Sequence, residues 1–67
     1  MNKFTENEIK DAEFAILTAI AVRNYARAVE RKRGPLTDAE VLERVSAEEK
    51  ERFIRGKALH KAGAYRP

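Results

Sequence analysis

The chain has no cysteine and no tryptophan, one histidine, one methionine, two prolines and three glycines among 67 residues. Without cysteine it has neither a disulfide nor a thiolate metal site, two of the usual staples of so short a chain. Its only histidine, His60, stands without HExxH-like spacing and without a cysteine partner, so it reads as a surface residue near a helix end. The glycines are scattered, and none forms a loop able to cradle a phosphate. No run of Pro, Gly or Ser separates one part from another, so residues 1–67 read as a single small domain with a short tail at 63–67.

Long apolar runs are also missing. The one uncharged stretch is FAILTAIAV, residues 14–22, in a chain that is 37% charged. It is shorter than the roughly 20 residues that cross a bilayer. It follows Glu6, Glu8, Asp11 and Glu13, the wrong flank for a signal peptide. A cytoplasmic protein with no membrane partner and no cofactor is the expectation.

What the chain does contain is charge in blocks. Residues 1–13 carry four acids and two lysines; residues 23–33 carry five basic residues and only Glu30. Residues 38–51 carry six acids against Arg44 and Lys50, and residues 52–67 carry five basic residues and no acid. The order suits an antiparallel return: the acidic start of a first helix beside the basic end of the last one, and its basic end beside residues 38–51. Part of this pattern also follows from helix-dipole preference alone.

Helix starts recur. Thr5–Glu8, Thr37–Glu40 and Ser46–Glu49 each have the spacing of a capping box, in which a hydroxyl takes the N3 amide and a carboxylate reaches back to the cap amide. Phe4 with Ile9, and Leu36 with Val41, add the apolar staple to the first two; the third has Lys50 where the staple needs an apolar residue. ERKRGP, with Gly34 as the left-handed cap, and HKAG at Gly63 supply the stops. The expected fold is all-α: three helices at about 6–33, 38–45 and 47–62, with no strand alternation and the long first helix as spine. A break at Ser46 also follows from phase. Val41, Leu42 and Val45 share one side, whereas Ala47, Ile54, Ala58 and Ala62 lie nearly opposite, so one straight helix would not put both sets on one core.

The first helix carries apolar residues almost all round. Ile9, Ile16 and Ile20 make one face, and Phe14, Val22, Tyr25 and Val29 another, with a row of alanines between them at 12, 15, 19 and 26. Two short helices offer too few large side chains to cover both faces. Self-association as a homodimer through Phe14, Ile16, Ile20, Val22 and Tyr25 is therefore expected, giving a dimeric helical bundle.

No constellation for catalysis is visible. Glu48, Glu49 and Glu51 occupy a first helical turn, where they serve cap and dipole, and Thr37 and Ser46 are caps before they are nucleophiles. The expected role is that of a small non-enzymatic binding protein acting on a larger protein partner, as regulator, inhibitor or assembly factor. The alternative is a nucleic-acid-associated accessory protein. Both would use cations at Arg27, Arg31, Lys32, Arg33, Arg55, Lys57 and Lys61. A helix-turn-helix reading is disfavoured, because the third helix starts SAEEKE and would bring three glutamates to a phosphate-lined groove.

Overall fold

The computed structural model describes residues 3–65, which form three helices and no strand: α1 (Glu6–Ala28), α2 (Asp38–Arg44) and α3 (Ala47–Lys61). The first two starts are the expected capping boxes. Thr5 Oγ1 accepts the Glu8 amide at 3.1 Å while Glu8 Oε1 accepts the Thr5 amide at 2.8 Å. Thr37 and Glu40 repeat the exchange at 3.2 and 3.0 Å. Leu36 and Val41, the second staple, both lie in the core.

The first helix ends five residues earlier than expected, and not at Gly34. The Val29 amide makes the last helical bond, to Tyr25 O at 2.8 Å. Arg31 then takes the left-handed conformation, with φ 56°, and the Lys32 amide reaches back to Ala26 O at 3.1 Å. The early stop has a packing reason. It turns the chain in time for Leu36, 4% exposed, to fold under α1, where the Arg23 Nε–H donates to the Leu36 carbonyl at 2.9 Å. At the other end, α3 stops as its sequence implies. Gly63 has φ 97°, its amide bonds His60 O, and the Ala64 amide bonds Leu59 O, the paired bonds of a Schellman motif.

The break at Ser46 is present, but the phase argument for it does not survive. Val45 and Ser46 are extended (ψ 142° and 152°), which separates α2 from α3. The face that α3 buries, however, is Phe53 and Gly56, while Ile54 is 55% exposed and Ala47, Ala58 and Ala62 are exposed. Apolarity misjudged this face because its central residue is a glycine, chosen for closeness rather than for hydrophobic area. Ser46 also does not cap with its side chain. Its hydroxyl donates to Glu49 Oε1 at 3.0 Å, and its carbonyl accepts the Glu49 and Lys50 amides.

Arg44 lies beside Glu30, near the end of α1, and Gly56 lies over Asp11 and Ala15, near its start; α3 therefore runs back along α1. The contact is made by small residues. The buried face of α1 is the alanine row itself, Ala12, Ala15, Ala19 and Ala26, each 2% exposed or less. A Cβ placed on Gly56 would strike the Asp11 carbonyl oxygen and lie 2.8 Å from Ala15 Cβ. The core gathers Ala15, Ala19, Ala26, Leu36, Val41, Val45 and Phe53, with Phe14, Val22 and Leu42 partly packed against it.

Two outcomes follow for stability. Gly56→Ala, which in an open helix would gain about 1 kcal/mol of propensity, should instead destabilise by about 1–3 kcal/mol, because backbone must move. A stability gain in urea denaturation would contradict the close crossing. Thr37→Ala should cost about 1 kcal/mol, and Ser46→Ala should stay within about 0.5 kcal/mol of the parent; equal losses at the two sites would mean that Ser46 caps after all.

Candidate interaction surface

Three sets of ion pairs bolt the helices together, and they sort the cations of the chain. Asp11, on the first turns of α1, accepts from Arg52 Nε at 2.8 Å and from Arg55 Nε at 3.0 Å. The Arg52 guanidinium also lies 4.3 Å from the centre of the Phe14 ring, a cation–π contact. Asp38, at the start of α2, accepts from Arg23 at 2.9 Å and faces Lys57 Nζ at 3.5 Å. Arg44 holds Glu30 through both carboxylate oxygens, at 2.9 and 3.3 Å, and donates to Glu40 O at 2.9 Å.

The acidic start of α1 thus meets the basic block at 52–67, and Arg23 from its basic end meets the acidic block at 38–51, as charge order suggested. The Arg44–Glu30 pair joins the same two blocks with the signs reversed.

These bolts separate the candidate cations into two groups. Arg55 and Lys57 are engaged inside the molecule by Asp11 and Asp38. Arg27, Arg31, Lys32, Arg33 and Lys61 are exposed and, among the described residues, form no ion pair within 4.0 Å. The first four of these mark the corner where α1 turns into the loop before α2. They lie on a helix end and a loop rather than along one final helical turn. Lys32 is the least isolated, since its charge helps to hold the Glu30 and Glu40 carboxyls below their usual range. Lys61 stands apart, in a shallow groove with Asp38, Lys57, Ala58 and His60. His60, in the last turn of α3, is half-buried and lines the same groove.

The apolar candidates divide as well. Phe14 and Val22 pack partly against the core and Ile16 is half-buried, so these three mainly flank the alanine row. Ile20 and Tyr25 remain outside at 50% and 57%, and Leu17 joins them at 50%. Tyr25, with Ala21, Val22, Glu30 and Arg44, lines an open groove between α1 and α2.

Sequence reasoning did not single out Asp11, Arg23 or Gly56. The first was one acid in an acidic block, and the last was one glycine in a charged helix; only the pairing of α1 with α3 gives either a role. Among the described residues no group of three or more His, Asp or Glu is arranged to hold a metal ion, and no helix is long and apolar enough to cross a membrane.

The Asp11 carboxyl is held below its usual range, first by the Arg52 hydrogen bond and then by that of Arg55. Arg23 does the same for Asp38, and Arg44 for Glu30. Folding thus favours the ionised carboxylates. Their stabilisation is complete above the ordinary carboxyl values of about 3.9–4.3 and is lost as the pH falls below them. Stability measured by urea denaturation should hold level near neutrality and drop below about pH 4. Asp11→Asn should be less stable at neutral pH and show a shallower acid limb. An unchanged acid limb would remove Asp11 from the set of groups responsible.

No family model, no curated protein and no solved structure matches this chain.

Proposed function

We propose that this chain is a small non-enzymatic binding protein that acts on a larger protein partner, as a regulator, inhibitor or assembly factor, and that it docks through the basic corner of Arg27, Arg31, Lys32 and Arg33. The observation that carries the reading is Arg31. It occupies a left-handed backbone conformation at φ 56°, which costs a non-glycine residue on the order of 1 kcal/mol or more, and which Gly or Asn would adopt more cheaply. Its side chain is exposed and, among the described residues, has no acidic partner within 4.0 Å. The fold gains nothing visible from an arginine there, whereas a surface that recognises acidic groups does.

A protein partner fits this corner better than nucleic acid. Four cations displace few counterions, with a slope of log affinity against log salt of only about −3 to −4, too little for firm binding to a duplex at physiological salt. Glu30 adjoins Arg31 in the chain, so the corner presents mixed charge rather than a basic stripe. A local cluster of this kind sets encounter rate and register with an acidic protein patch.

Arg31→Gly is the informative substitution. It relieves the backbone strain and removes the guanidinium, so the protein should become more stable in urea while losing capture of its partner in pull-downs from its native host. Arg31→Glu with Arg33→Glu should abolish capture with the helical circular dichroism retained. Undiminished capture by both variants would dismiss the corner as the docking element. Duplex DNA binding with a steep salt slope would replace the protein partner by phosphate.

A further inference from the structure

We infer that the outward face of α1 is an interface between two copies of this chain, which pair antiparallel about a two-fold axis near Ile20. The interface shares Arg27 with the basic corner, but Arg31, Lys32 and Arg33 lie in the loop beyond α1 and outside it, so sedimentation of Leu17 and Glu13 variants tests it apart from partner capture.

The first argument is coverage. The molecule is elongated, 42 × 24 × 14 Å along its principal axes. Its accessible surface is 5126 Å². A compact monomer of its mass, 7.6 kDa, exposes about 4,300 Å². The surplus is similar to the roughly 800 Å² that each partner contributes to a standard interface. The core shows the same shortfall from inside: four of its buried members are alanines of α1, and among the described residues Val41 is the only large side chain fully withdrawn from solvent. Meanwhile Leu17 and Ile20 stay half exposed on the opposite side of the same helix.

The second argument is spacing. Glu13, Leu17, Ile20, Asn24 and Arg27 follow one another at intervals of four, three, four and three. That alternation is the seam of a two-helix pairing, with apolar residues at the centre, one asparagine, and charges at the ends. The buried alanine row lies on the other side of α1, so the seam is free to be used without disturbing the contact with α3.

The third argument selects the occupant and its direction. A two-fold interface is self-complementary, because each patch meets its own copy. Glu13 lies on the N-terminal side of the apolar centre and Arg27 on the C-terminal side, and neither has an ion-pair partner among the described residues of its own molecule. Antiparallel pairing brings Glu13 of one copy within reach of Arg27 of the other, twice. Parallel pairing would set like charge beside like charge. A second copy therefore satisfies both ends and the apolar centre at once.

Sedimentation equilibrium at tens of micromolar chain tests this. The full chain should sediment at twice its mass of 7.6 kDa. Leu17→Glu should reduce it to the single-chain mass with helical circular dichroism retained, whereas Ile54→Glu, equally exposed but on α3, should leave the doubled mass unchanged. Glu13→Arg and Arg27→Glu should each weaken the dimer several-fold, and the two together should restore it. The charge pair also decides the matter if Leu17→Glu fails to fold. A chain that stays at single mass at hundreds of micromolar, a dimer that survives Leu17→Glu, or a double charge variant no better than either single one would overturn the inference.

Discussion

Everything in this fold depends on how closely α3 can approach α1. At Gly56 no side chain intervenes, and the third helix lies directly on the backbone of Asp11 and the methyl group of Ala15. Close approach replaces hydrophobic bulk. The α1 face that receives α3 is made of alanines, which bury little area each but allow dispersion contact along a long helical line. The same closeness brings the Asp11 carboxylate within reach of two arginines, one a turn before Gly56 and one adjacent to it. The double ion pair is a consequence of the crossing, and it fixes the position of α3 along the spine.

The ion pairs divide the work among the charged residues. Surface ion pairs taken singly contribute little, but here each set joins two segments distant in sequence: Asp11 to α3, Asp38 to α1 and α3, and Glu30 to α2. Their value lies in placement, since each rejects other arrangements by leaving a charge unmatched. This division is also what makes the corner at Arg27, Arg31, Lys32 and Arg33 distinct. With Arg23, Arg44, Arg52, Arg55 and Lys57 engaged internally, four of the remaining cations fall together where the backbone itself is strained.

A core of alanines has a cost elsewhere. Because small residues occupy the inner face of α1, its large residues must lie on the flanks or outside. Phe14, Ile16 and Val22 find partial cover beside the row; Leu17, Ile20 and Tyr25 do not. The uncharged segment at 14–22 therefore does two things at once, supplying the inner alanines and the outer apolar ridge in alternation around one helix. That is why its hydrophobicity shows no single side.

Much of the architecture was determined by the sequence alone. Three helices, two reciprocal caps and the stop at Gly63 come from short-range chemistry, in which a hydroxyl, a carboxylate or a glycine acts on amides within a few residues of itself; the break at Ser46 falls where the sequence put it, but neither a side-chain cap nor the helical phase produces it. The pairing of opposite charge blocks was legible too, because it needs only their order. Tertiary structure decided the rest. The end of α1 at Ala28 reflects the need to bury Leu36, and Arg31 rather than Gly34 takes the left-handed turn for that reason. The buried face of α3 is Phe53 and Gly56 because backbone proximity outweighs apolar area at a helix crossing, and a glycine carries no hydropathy signal to announce it. Which cations are held and which stay free depends on partners some 14 to 44 residues away along the chain, and no local pattern in a chain so rich in charge distinguishes Asp11 from its acidic neighbours.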